Sequence, residues 1–166
     1  MKLRSVLRKV FTTVVVLLLA ALLLAVLWPI TTDQRPARPV TRCMSQVRQM
    51  DLAVLMYAAD SDERLPPASS WIGLTLKYLK DEALYHDPEV PGPNAYGYAF
   101  RDSGSLIKWS KVRDPAAFPV IFDSTVLGRN AHSELETLPN PGRHNGRNSI
   151  GYLDGHAKSV QNSEVK

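Results

Sequence analysis

The residues best equipped for chemistry lie near the C-terminus. His144 is separated by nine residues from the pair Asp154-Gly155, and His156 follows at once (H-NGRNSIGYL-DG-H). Imidazole and carboxylate together suit zinc or a similar metal. His144, Asp154 and His156, closed by Asp123 or His132, therefore form one candidate metal set. The same residues also have a structural reading. Asp-Gly is a preferred pair for a two-residue type I′ hairpin turn, Gly155 supplies a positive φ, and His144 hydrogen-bonds the hairpin and holds down the loop before it. Spacing on a hairpin does not make side chains converge, and an acid at a turn tip points outward. The structural role for His144, Asp154 and Gly155 is thus the expectation, with no cofactor.

Other chemistries find less support. Cys43 is the single cysteine, so an internal disulfide and zinc sites built on several cysteines are excluded. It could pair with a histidine as a nucleophile or bridge two chains through an intermolecular disulfide. On the apolar face of a helix, however, a cysteine more often serves as a small buried hydrophobe. Asp60, Asp62 and Glu63 are close together but lack the glycine and terminal glutamate of a calcium loop. Ser124 follows Asp123 without a G-x-S-x-G elbow, and neither a P-loop nor a dinucleotide fingerprint occurs. Tyr96, Tyr98 and Phe100 could stack on sugars or bases, but a packed strand face is the simpler reading.

These residues must be positioned by a small set of elements. Cys43, Val47, Met50, Val54 and Tyr57 recur at helical spacing, with Leu52, Leu55 and Met56 widening the face. They predict a helix over 42–60, capped by Thr41 and stopped before Pro66-Pro67. A second helix starts at Ser70 and runs to about Leu79 or Leu84. Beyond the loop at 86–93, Tyr96, Tyr98 and Phe100 alternate with small residues, and 106–109 reads as a second short segment. FPVIF at 118–122 reads as a core strand with Pro119 at its start or on an edge. A long polar loop follows over 130–148, then a hairpin with arms 149–153 and 156–160. Helices first and strands after define an α+β chain with an antiparallel sheet.

Four stretches occur in a telling order: CMSQVRQMDLAVLMYAADSDERLPP from Cys43, WIGLTLKYLKDEALYHDP from Trp71, VRDPAAFPVIFDST from Val112, and GRHNGRNSIGYLDGHAKSV around His144. Together they resemble bacterial pilin-like and type II secretion pseudopilin-like proteins with a C-terminal His-x9-Asp-Gly signature. In that family a Cys opens the first soluble helix, a Tyr-Ala-x-Asp segment closes it and a Leu-Pro follows. Here these are Cys43, Tyr57-Ala58-Ala59-Asp60 and Leu65-Pro66. The resemblance spans about 43–160. It implies a pilin-like fold, with other pilin-like or secretion-system subunits as partners. The chain departs from the family at its start. Arg8-Lys9-Val10-Phe11-Thr12-Thr13 stands where a leader-peptidase site and a helix-borne Glu are usual, and Pro36 and Pro39 interrupt the long helix. Where the family often has a second loop cysteine, His86 occupies the comparable place. These departures imply a permanently anchored relative with the fold but not the processing.

Charge points the same way. The 166 residues include 20 Lys+Arg and 16 Asp+Glu, for a net charge of +4. Lys2, Arg4, Arg8 and Lys9 account for all of that excess. The remainder is neutral, and a folded body without cationic excess argues against a nucleic-acid partner. At 45% hydrophobic and 22% charged, the chain is not disordered. Residues 10–30 (VFTTVVVLLLAALLLAVLWPI) carry no charge and are long enough for a bilayer. The basic residues before them favour a cytoplasmic N-terminus, and Pro29 is placed to end the helix. The run is longer than a signal-peptide core and exits without a small-x-small site.

The expected organisation is a cytoplasmic N-terminus at 1–9, a transmembrane helix at 10–30 and a Pro-containing linker at 31–41. An extracytoplasmic pilin-like domain follows at 42–160, and a tail at 161–166. The expected protein is a single-pass inner-membrane structural or accessory component of a type II secretion or type IV pilus-type system, and not an enzyme. The alternatives are an anchored module that binds an extracytoplasmic ligand and a metal-dependent hydrolase centred on His144.

Overall fold

The computed structural model describes residues 2–32 and 39–165. The chain divides into two compact units, Met1–Pro36 and Ala37–Lys166. In the first, α1 runs Lys2–Thr32. Its window Arg8–Ala25 has a mean hydropathy of 2.1 with none of it buried, so this helix is long and apolar enough to cross a membrane. Thr12 and Thr13 donate their hydroxyls to the carbonyls of Arg8 and Lys9, at 2.8 and 3.0 Å, which satisfies both within the helix. Pro29 does not end α1, which continues to Thr32. In the last turns of a helix the missing N–H removes a single bond. Most of the expected linker, 33–38, lies outside the described residues.

The second unit opens with α2, Pro39–Ala59, which begins earlier than the periodicity predicts. Pro39 is the first helical residue, where its fixed φ suits and its absent N–H is not missed. Thr41 consequently sits inside the first turn rather than at the cap. The face of α2 that packs inward carries Cys43, Val47, Met50, Val54 and Ala58, each at most 1% exposed. Leu55 packs at its margin. Leu52 and Met56 instead stand 46% and 52% exposed. Two residues beyond Met50 is about 200° around the helix, the side away from the core.

Helix α3, Trp71–Leu79, buries Trp71, Ile72 and Thr75. Ser70 occupies its N-cap position but makes no side-chain cap. That work falls to Asn130 Oδ1, which accepts from the Ile72 N–H at 2.9 Å from 58 residues away. Lys80, left-handed at φ 60°, closes the helix by donating its N–H to the Leu76 carbonyl.

Five strands form one sheet: β1 (Tyr98–Arg101), β2 (Pro119–Asp123), β3 (His132–Ser133), β4 (Asn148–Tyr152) and β5 (Ala157–Val160), in the order β3-β1-β2-β4-β5. The sheet is mixed rather than antiparallel, because β3 pairs parallel with β1 through Phe100 and His132. The other pairs are antiparallel, with Tyr98 opposite Asp123, Phe122 opposite Ile150 and Ile150 opposite Lys158. The pleat divides the core. Tyr98, Phe100 and Ile121 join the inner face of α2 and Trp71, while Ala99, Phe122 and Ile150 join Ala131, Leu138 and Val160. β2 lies at the centre and is buried along its length, with Pro119 at its start. The 106–109 segment is no strand of this sheet. Lys108 makes an isolated bridge with Arg64, and Trp109 begins a 3₁₀ turn.

The C-terminal hairpin forms as β4 and β5, but its turn is not the two-residue type I′ expected. Gly155 N–H donates to the Tyr152 carbonyl at 2.8 Å and Tyr152 N–H to the His156 carbonyl at 2.9 Å. Only Gly155 in this loop has a positive φ, 86°. Leu153, Asp154 and Gly155 thus form a three-residue loop, a type I turn followed by a left-handed glycine. The type I′ turn lies nine residues earlier. Asn145 (φ 55°) and Gly146 (φ 80°) join His144 to Arg147, which exchange both backbone hydrogen bonds at 2.9 and 3.2 Å.

Candidate functional site

These two turns explain the spacing of the His-x9-Asp-Gly pattern. The intervening residues are the Asn145-Gly146 turn, Arg147, the five residues of β4 and Leu153. His144 and Asp154 therefore stand at opposite ends of a strand about 17 Å long. The set His144, Asp154 and His156 does not converge. Asp154 and His156 pair with each other on the surface through Oδ1 and Nδ1. His132 pairs with Asp102 at 2.7 Å, also exposed. His144 alone points inward, 1% exposed.

What His144 meets comes from three elements. Asp123 ends β2, Asp87 and Glu89 come from the loop after α3, and Cys43 comes from the second turn of α2. His144 Nε2 lies 3.1 Å from Asp123 Oδ2 and 3.5 Å from Asp87 Oδ2, and Nδ1 lies 3.2 Å from Glu89 Oε2. Cys43 Sγ is 3.6 Å from Asp87 Oδ1. Cys43, Asp87 and Asp123 are each at most 1% exposed. Neither ring nitrogen of His144, however, makes a hydrogen bond of good direction, and Asp123 Oδ1 has no partner.

The surrounding groups lock the two acids. Arg143 donates through Nη1 to Asp87 Oδ2 at 2.8 Å and to the Gly97 carbonyl at 2.9 Å, and through Nη2 to the Ser124 carbonyl at 2.7 Å. Gly97, at φ 86°, leaves the space: a Cβ there would fall 2.8 Å from those of Asp87 and 3.2 Å from the guanidinium. The Ser149 N–H donates to Asp123 Oδ2 at 2.6 Å, and Glu89 N–H to Asp87 Oδ1 at 2.9 Å. Burial works against an imidazolium at His144, but the Asp123 carboxylate and Cys43 against the ring push its pKa up to about 11. Burial also pushes the Cys43 thiol up. Without a metal, the site is a buried, charge-paired knot tying α2, the 86–93 loop, β2 and the 142–147 turn together.

Sequence reasoning missed two members of this seam. Asp87, not His86, faces Cys43. His86 stacks on Tyr96 with ring centroids 4.0 Å apart. Asp51 lies further along α2, 2% exposed, with neither carboxyl oxygen hydrogen-bonded. It rests directly on Gly151 of β4, where a Cβ would come within 2.6 Å of Asp51 Oδ1 and nearer still to Oδ2. Burial pushes the Asp51 carboxyl well above the ordinary carboxylate range, and the charge of Asp154 adds to the shift. Two signals for it were present: an acid on the Cys43-Val47-Val54 face, and a glycine inside a strand pattern, which marks a close approach.

The other candidates are placed plainly. Cys43 is 0% exposed, so its thiol is closed to a second chain while α2 stays seated, and an intermolecular disulfide does not fit this packing. Tyr98 and Phe100 are wholly buried and Tyr96 is 8% exposed, so they form core rather than a stacking surface. Asp60 accepts from the Tyr78 hydroxyl at 2.8 Å, and Glu63 Oε2 from Ser110 Oγ at 2.6 Å, so these acids do not converge on a cation. Ser124 Oγ pairs with Thr137 Oγ1 at 2.9 Å and faces no histidine nitrogen. No protein-family model, curated protein or solved structure matches this chain.

Proposed function

We propose that this chain is a membrane-anchored pilin-like module. On this reading residues 10–30 cross the bacterial inner membrane, the N-terminus is cytoplasmic, and the second unit stands outside as a structural or accessory subunit of a type II secretion or type IV pilus-type assembly. The observation that carries the reading is the use made of the signature histidine. His144 is sealed inside the fold, where it joins the first helix of the second unit to the strands, while the apolar window Arg8–Ala25 of α1 has none of its residues buried. Such a domain holds its shape through buried polar pairing and meets partners through its surface. Exposed Leu52 and Met56, one turn apart on α2, are natural contact points.

A photo-crosslinking side chain at Leu52 or Met56, used in cells, tests this. Adducts with pilin-like or secretion-system subunits, together with loss of secretion or pilus assembly on deletion, are expected. A deletion that leaves both processes intact, with no adduct to such a subunit, overturns the proposal.

A further inference from the structure

The buried knot around His144 has the form of a metal site. Its atoms are spaced as ligands of one ion. Ligands 2.0–2.3 Å from a tetrahedral zinc stand about 3.3–3.8 Å from one another. Here Cys43 Sγ is 3.6 Å from Asp87 Oδ1 and His144 Nε2 is 3.5 Å from the other oxygen of that carboxylate, Oδ2. Cys43, Asp87 and His144 each offer a donor atom within 4.8 Å of the others, and all three are buried.

The unsatisfied groups point the same way. Both ring nitrogens of His144 lack a hydrogen bond although they are enclosed, and buried polar atoms without partners are uncommon. The outer arrangement is also that of a metal site. Glu89 Oε2 lies 3.2 Å from His144 Nδ1 without a hydrogen bond of good direction; rotation of the ring onto a metal at Nε2 would bring it into the carboxylate–histidine–metal pattern. Arg143 and the Ser149 N–H hold the two aspartates.

We propose that Cys43, Asp87 and His144 bind one divalent transition metal, with zinc the ion their mixed sulfur, oxygen and nitrogen set fits. Glu89 acts as the residue that positions the imidazole. Metal entry releases the thiol proton and the Nε2 proton, leaving a thiolate, the Asp87 carboxylate and a neutral imidazole on the ion. The two negative ligands then balance the doubly charged ion. None of the three donors faces solvent, so the ion would tie α2, the 86–93 loop and the 142–147 turn together.

The test uses the full chain in detergent, prepared without a histidine tag, stripped with chelator and reloaded with Zn²⁺ or Co²⁺. One Zn²⁺ per chain is expected, with a higher unfolding midpoint. Co²⁺ should give a thiolate charge-transfer band in the near ultraviolet that is lost in Cys43→Ser. Glu89→Gln should weaken Zn²⁺ binding about tenfold or more, and His156→Ala should leave it unchanged. The cobalt band is read on the unaltered chain, so a variant that fails to fold does not remove the test. A folded, stripped protein that takes up no Zn²⁺ and shows no cobalt–thiolate band overturns the proposal. So does uptake that survives Cys43→Ser and disappears in His156→Ala.

Discussion

Gly151→Ala is the sharpest probe of how α2 sits on the sheet. Gly151 lies in β4, which is hydrogen-bonded to β2 on one side and β5 on the other, so the strand cannot slide aside. Its Cα faces the Asp51 carboxyl, and an added Cβ would fall 2.6 Å from Oδ1 and closer to Oδ2. Asp51 is 2% exposed and enclosed by the α2 stripe that carries Val47, Met50 and Val54. Relief therefore requires α2 to lift, which also loosens those contacts. Overpacking of this kind costs about 1–3 kcal/mol, and a fixed strand against a fixed helix places it near the upper value. About 3 kcal/mol lowers the unfolding midpoint by on the order of 10 °C in a unit of this size. The readout is thermal or urea unfolding of the full chain in detergent, followed by the fluorescence of buried Trp71. Asp51→Ala in the same background removes the clash, so the double variant should be more stable than Gly151→Ala alone, with a coupling of at least about 1 kcal/mol. A Gly151→Ala protein within about 0.5 kcal/mol of the parent, or a double variant that falls by the simple sum, would refute the reasoning.

Three further outcomes follow from the same packing. His144→Ala should destabilise by about 3–5 kcal/mol, because it strands two buried carboxylates, whereas Asp154→Ala at the exposed turn should cost less than about 1 kcal/mol; equal losses in denaturant titrations would contradict the placement of the two residues. The folded chain holds a proton on Asp51 that the unfolded chain releases above about pH 4, so stability should fall with rising pH, by up to about 1.4 kcal/mol per unit, until the folded carboxyl itself ionises. Asp51→Asn should remove that slope below about pH 6, where His144 does not yet titrate in the unfolded chain, and be the more stable protein at pH 8, as midpoints measured from pH 4.5 to 8 will show. Gly146→Ala meets open space but sits at φ 80°, so it should cost roughly 1 kcal/mol through backbone strain alone, and a neutral substitution would argue against the type I′ turn.

Local pattern made the elements legible and left their junctions obscure. The α2 stripe, α3 and the final hairpin are visible as periodicity, and β2 as the short apolar run at 118–122. The turn types were exchanged: Asp154-Gly155 has the composition of a two-residue turn, but Leu153 joins that loop, and the true type I′ pair is Asn145-Gly146. β3 is two residues long inside a polar stretch, so neither its existence nor its parallel pairing leaves a periodic trace. The cap on α3 comes from Asn130, too far along the chain for any local rule to find. The site was half legible. His144 stood out by type and spacing, but the intuitive partners Asp154 and His156 lie a strand away. Asp87 and Cys43 reach it only because α2 and the 86–93 loop fold over the end of β2. Asp51 carried two weak signals, its place on the apolar face of α2 and a glycine in the strand pattern, but an acid on an amphipathic helix normally reads as surface.

The anchored reading is tested most directly by the mass and N-terminus of the mature chain recovered from the membrane fraction after alkaline extraction. The account predicts a membrane-retained protein that still carries residues 10–30. A soluble product that begins near residue 30 would contradict it.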